Sequence, residues 1–217
     1  PFAWRQHGRC GKWLSEPVAP LGACVDDMAF IHSMVAKSNV HGPATFLQAT
    51  GFVLPGFPSV GSWVSYALGS ENDNLPTFVA IPDARGFAPN GPANWGAGFL
   101  PAAHQGTMLR PAAANPLENL FAPVDSGPAV AGEDQARALL ASQNRRHLAT
   151  RGDDSRLAAR IATYELAGRL QASAPEALDL AQESAETRAL YGLDDEATAD
   201  FGRSCLVARR LLERGVR

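Results

Sequence analysis

The stretch Asn39–Gly69, NVHGPATFLQATGFVLPGFPSVGSWVSYALG, constrains this chain more than any other. It follows a short apolar run, Met28 to Met34, whose residues MAFIHSM read as a buried strand. Then come a histidine, a Gly-Pro turn, a helix-like segment, a Thr-Gly stop and a second helix opened by Pro58-Ser59. Thr77 to Ile81, TFVAI, reads as a further strand ended by Pro82. Strand, helix, strand in that order predicts a parallel α/β unit. Such units keep their chemistry between a strand end and a helix start, which makes His41 the first candidate for a site.

Composition narrows the classes. A net charge of −3 gives no electrostatic support for a nucleic-acid partner. No apolar run approaches the roughly 20 residues that a membrane span needs. The first residue is Pro1 and no signal peptide is recognisable, so processing or truncation is expected to have made this end. Cys10, Cys24 and Cys205 lie far apart with no C-x-x-C pair, which argues against zinc. All three read as small buried apolar residues.

Around the central stretch, residues 1 to 25 read as a loop followed by a helix, with Trp13, Leu14, Val18 and Leu21 at helical spacing. His32 reads as a satisfied core or edge histidine. From Pro82 to Gly132, Pro, Gly, Ala and Asn dominate, with one short strand expected at Thr107–Arg110. An ordered loop is expected there, because Trp95, Phe99 and Leu100 need burial. Trp63 and Tyr66 are expected in the core, and Ser59 as a helix cap.

The last 85 residues are predicted helical. A first helix spans Glu133 to Thr150. A second, roughly 156–173, follows cap candidates Asp153, Asp154 and Ser155 and places Leu157, Ile161 and Tyr164 opposite Leu166 and Leu170. Glu165 and Arg169 are placed to pair at i,i+4. Pro175 is expected to open a short helix to Ala181. The final helix, about 197–214, aligns Phe201, Cys205, Ala208 and Leu212, with Arg209, Arg210 and Arg214 as a solvated basic end and Gly215 at C′. Val216 then reads as the start of another strand, so the sequence is expected to continue. The predicted class is α/β: a partial parallel sheet with flanking helices and a helical C-terminal half, divided as 1–132 and 133–217.

Five segments carry a family resemblance. They are His41-Gly-Pro-Ala with Thr50-Gly51; PGFPSVGSWVSYALGSEN at 55–72 continuing to LPTFV at 75–79; NWGAGFLPAAHQG at 94–106; RIATYELAGRLQASAPE at 160–176; and CLVARRLLERGVR at 205–217. Together they resemble a bacterial domain-of-unknown-function family, number 1501, placed beside the sulfatases in the alkaline phosphatase superfamily. The resemblance implies a sulfatase-like fold and a metal-dependent hydrolase of phosphate or sulfate esters. It also implies a periplasmic or secreted location and a small anionic ester or a sulfated or phosphorylated glycan as partner. Family members continue into H-x-G-W-D-x-H and G-E-F-G-R-T segments that do not occur here. The divalent metal is therefore expected in a longer parent, with none in residues 1–217, which alone are expected to be inactive.

The sulfatase signature C-x-P-S-R-A reaches T-G nine residues after its cysteine, and Thr50 lies nine residues after His41. Pro43 falls on the signature proline, so His41 resembles the nucleophile position at a helix N-terminus. Ala44 and Thr45 stand where Ser and Arg are expected, and no cysteine or serine at 41 can become formylglycine. His41 is thus read three ways: a nucleophile for a phosphoryl or sulfuryl group, a ligand or general acid beside a divalent metal, or a structural histidine. Asn39, Thr50, Asn94 and Gln105 are the candidate substrate-binding residues. The competing function is a degenerate, non-catalytic member that binds an anionic ligand or a cell-surface partner.

Overall fold

A computed structural model describes residues 1–118, 120, 133–152 and 155–217. The chain forms two compact units, Pro1–Ala36 and Lys37–Arg217. Among the described residues no helix is long and apolar enough to cross a membrane.

The first unit opens with a hairpin where a loop is expected, and the expected helix follows as a 3-10 helix. Strands β1 (Trp4–His7) and β2 (Lys12–Ser15) pair antiparallel, with Trp4 opposite Ser15 and His7 opposite Lys12. The connection Gly8-Arg9-Cys10-Gly11 supplies the reason: Gly8 and Gly11 both take positive φ, at 66° and 64°. The chain then winds as a 3-10 helix, Glu16–Asp27, and the Asp26 carboxylate accepts from the backbone N–H groups of Arg9 and Cys10 at 2.8 and 2.9 Å. Those two donors hold the Asp26 carboxyl below its usual range. The expected strand Met28–Met34 does not form, and Ile31 and Met34 are exposed. An apolar run becomes a strand only with a ladder partner, and among the described residues β1 and β2 pair only with each other.

The second unit is mixed α/β, with little sheet. Helix α1 (His41–Thr50) and helix α2 (Val60–Leu68) form where the sequence places them, each followed by glycine. Strands β3 (Val79–Ala80) and β4 (Thr107–Met108) make one short parallel pair inside the two expected strand segments. Between them the chain is ordered but irregular, with 3-10 turns at Gly91–Trp95 and Ala102–His104. Trp95 and Leu100 are half-buried there, whereas Phe99 is exposed.

Helices α3 (Glu133–Ala149), α4 (Ser155–Leu178), α5 (Ala185–Leu190) and α6 (Ala199–Leu212) follow. The expected caps Asp153 and Asp154, and the boundary at 132, lie outside the described residues. Pro175 does not open a helix; α4 runs through it. Its buried stripe Leu170, Ala174, Ala177 continues past the proline, so core packing outweighs one lost backbone bond. Leu166 also packs on the core while Tyr164 is exposed. Arg169 gives its Nε–H to the carbonyl of Asp73, 2.7 Å away.

The buried face of α6 also differs from expectation. Phe201 and Leu212 face solvent, and Gly202, Leu206, Val207, Arg210 and Leu211 are inside. Apolar periodicity points to the wrong face because two inward positions are glycine and arginine. Arg210 is not part of a solvated cluster. Its guanidinium donates to the carbonyls of Ala177 (2.9 Å) and Glu176 (2.8 Å), and to Glu183 Oε1 (2.5 Å). Those carbonyls belong to the last turn of α4, where no helical donor remains for them. Arg209 takes the other oxygen of Glu183 at 2.9 Å. At the far end of α6, Val216 N–H returns to Leu211 O and Arg217 N–H reaches Thr77 O. The chain thereby closes over a core of Leu75, Leu109, Leu170, Val207, Leu211 and Val216.

Arg210→Ala is expected to lower the thermal midpoint well below that of Arg203→Ala, whose ion pair lies on the exposed side of the same helix. Equal shifts in parallel melts would contradict an organising role for Arg210. The two arginines hold the Glu183 carboxyl below its ordinary value of 4.5, the Arg210 bond contributing most. A depressed folded-state value means stabilisation that is complete above 4.5 and is lost as pH falls below it. Melts taken through that window are expected to show a smaller acid loss for Glu183→Gln than for the unmodified protein.

Candidate functional site

His41 is the first residue of α1 and is exposed. Val40, extended at φ −88° and ψ 127°, caps the helix without a side-chain bond. The first backbone donor returned within the helix is Ala44 N–H, to Val40 O at 2.9 Å. Pro43 has none to give, which suits a first turn. The backbone N–H groups of His41 and Gly42 therefore face the direction from which an anion would arrive. No strand leads directly into the histidine, contrary to the expected strand-end setting; residues 35–40 are irregular.

A clasp missed by the sequence reading fixes this turn. Asn90, at φ 73°, donates from Nδ2 to Gly42 O (2.7 Å) and to Thr45 Oγ1 (2.9 Å). The Thr45 hydroxyl lies 2.9 Å from Gly42 O and 3.2 Å from Pro89 O, and its single proton serves one of them at a time. Asn94 donates from Nδ2 to the same Pro89 carbonyl at 2.7 Å. The only sequence signal for this was Asn-Gly at 90–91, a pair favoured at left-handed turn positions.

The other named residues fall elsewhere. Asn39 is exposed, two residues before His41. Thr50 sits at the opposite end of α1, about 13 Å away along the axis. Its hydroxyl donates to Phe46 O at 2.8 Å and accepts from Phe52 N–H, so it shapes the helix stop. Gln105 is exposed and lines a separate cavity of about 250 Å³ with Thr77, Thr107, Thr163 and Arg169. The structure ties Asn94 to the His41 turn through Pro89 and Thr45, leaves Asn39 beside His41 in sequence alone, and does not bring in Thr50 or Gln105.

The 55–72 and 94–106 motifs fit each other. Helix α2 turns its small residues inward: Ser59, Ser62 and Ser65 are buried. Ser59 Oγ accepts from Ser62 N–H, and Gly96 O accepts from both Ser59 N–H (3.1 Å) and Ser62 Oγ (3.0 Å). A Cβ on Gly98 would stand 2.4 Å from the carbonyl carbon of Phe57, so only glycine fits there. Trp63 and Tyr66 are consequently outside, not in the core. They join an exposed edge-to-face row in which Trp63 lies 5.7 Å from Phe99 and Tyr66 5.3 Å from His104.

Ser65 Oγ and His104 Nδ1 are 2.9 Å apart, within the reach of a nucleophile and its base. Ser65 is only 4% exposed, however, so the pair is a tie within the fold rather than an open site. The pair joins α2 to the turn at Ala102–His104. Among the described residues no group of three His, Cys, Asp or Glu side chains converges to hold a metal.

The profile of a family described as "Protein of unknown function (DUF1501)" matches residues 1–217. The chain belongs to the DUF1501 family. No curated protein and no solved structure matches it. In this DUF1501 chain the 55–72 and 94–106 segments have a structural account, whereas among the described residues no bond to the His41 imidazole explains it.

Two outcomes are expected. Asn90→Ala removes the clasp and should move the His41 ring resonances in nitrogen-correlated NMR spectra, with a stability loss of about 0.5–1.5 kcal/mol per bond. Unmoved resonances would show that the clasp does not set the turn. Gly98→Ala, placing a side chain at φ 57° against backbone, should cost about 1–3 kcal/mol or more in denaturant titrations.

Proposed function

We propose that this chain is part of a sulfatase-like hydrolase of phosphate or sulfate esters, of the alkaline phosphatase superfamily, with His41 at the reactive end. The observation that carries the reading is an exposed imidazole on the first turn of α1, beside two backbone N–H groups with no helical acceptor, on a turn fixed from behind by Asn90. The position of Pro43 and the Thr50-Gly51 stop add the spacing of the sulfatase signature.

An ester oxyanion would settle against the His41 and Gly42 N–H groups, where the partial positive charge of the helix end lies. An imidazole nitrogen would attack phosphorus or sulfur, and the ester oxygen would leave and take a proton from water. Water would then cleave the bond to the imidazole and restore His41. The divalent metal implied by the resemblance would lower the charge on the transferred group when bound. The described residues do not by themselves fit one, so each step above uses only this chain's own groups.

A second reading has its own observation. Thr45, standing where the signature has arginine, spends its hydroxyl on Gly42, Pro89 and Asn90. The turn then lacks the cation that would steady a transferred group, which suits a non-catalytic binder of an anionic ligand.

Turnover of aryl phosphate and aryl sulfate by the full-length protein, with and without divalent metal, tests both. The hydrolase reading expects His41→Ala to lose at least about 100-fold in kcat with an unchanged melt. Unaltered kcat would exclude the role given to His41. No turnover by the unmodified protein, with phosphate or sulfate shifting its His41 resonances, would support the binder.

A further inference from the structure

We propose that Cys10 and Cys24 are redox partners that close a disulfide across the first unit. They are 14 positions apart in sequence, and neither belongs to any thiol motif. The fold brings their neighbourhoods together. Cys10 sits in the β1–β2 turn, and that turn is pressed onto the end of the 3-10 helix Glu16–Asp27. A Cβ on Gly8 would stand 2.5 Å from Val25 Cγ2. Cys10 N–H donates to Asp26 Oδ1 at 2.9 Å, and Cys10 Sγ lies 3.9 Å from the carbonyl oxygen of Val25, the residue that follows Cys24. Both thiols are free and exposed, so a small oxidant reaches each of them.

The unit has reason to use a staple. Across residues 1–36 only Gly22 and Val25 are buried, and Trp4, Trp13, Leu21 and Ile31 face solvent. A body of this size with so little apolar interior is the kind that disulfides hold together in oxidising compartments. The hairpin turn is already clasped to the end of that helix, two residues beyond Cys24, by the Asp26 carboxylate.

The chemistry balances with a small-molecule disulfide as oxidant. The Cys10 thiolate attacks its S–S bond, forming a mixed disulfide and releasing one thiolate. The Cys24 thiolate then attacks Cys10 Sγ and releases the second. Two protein thiols are oxidised, one disulfide is reduced to two thiols, and the protons of Cys10 and Cys24 end on those products.

Oxidised glutathione at mild alkaline pH, followed by peptide mass mapping without reductant, tests this on the whole chain. The expected result is a cross-linked pair of peptides holding Cys10 and Cys24, with half-buried Cys205 still a thiol. Cys24→Ser should then trap a glutathione adduct on Cys10. Protease cutting within residues 1–36 should slow at least several-fold on oxidation and recover with reductant. Separate glutathione adducts on Cys10 and Cys24 of the unmodified protein, or a link from either to Cys205, would overturn the proposal.

Discussion

A single guanidinium settles how the C-terminal half is assembled. Helix α4 ends with carbonyls that have no helical donor left, and Arg210 supplies donors to two of them from another helix. Burying that charge would be costly alone. Glu183 offsets it, and Arg209 and Arg214 arrange the remaining charges around the same junction. The small side chains Ala174 and Ala177 let α6 approach closely enough for the contact. Because α6 is fixed there, Val207, Leu211 and Val216 meet Leu75, Leu109 and Leu170, and the end of the chain lies beside Thr77.

The same logic governs the other half of the second unit with different chemistry. There the tie is made of hydroxyls and glycines rather than charge. Ser59, Ser62 and Ser65 turn toward the 94–106 segment, and Gly98 lets its backbone come close. Four of the five segments that carry the family resemblance are thus paired two by two, through Arg210 in one pair and Gly98 with the three serines in the other. The fifth, around His41, is held from behind by Asn90, and among the described residues no side chain bonds to the imidazole. That asymmetry is the physical basis for reading it as a place where something else binds.

Much of this was legible in the residues. Helices α1, α2 and α3 and the Ser59 cap follow from glycine stops, cap chemistry and period. The rest fails for identifiable reasons. Met28–Met34 has the apolar content of a strand, but strands need partners that a local pattern cannot supply. The β1–β2 hairpin hides because its signal is two glycines flanking Arg-Cys, and because Trp13 and Leu14 of β2 continue the spacing of Val18 and Leu21 in the 3-10 helix. The inward face of α6 hides behind Arg210, since a buried arginine looks polar until its partners are known. Pro175 reads as a break, but the stripe that continues past it carries the helix on. At the candidate site, His41 was visible from its spacing to Thr50, yet Thr50 itself serves the helix stop and Asn90 gave almost no signal.

Residue-resolved amide hydrogen exchange on Arg210→Met beside the unmodified protein addresses the assembly most directly. Mutual locking of paired segments predicts that the last turn of α4, residues 180–183 and α6 lose protection together. Helix α2 and residues 94–106 should keep theirs. Loss spread evenly over the second unit, or full retention at the end of α4, would contradict it.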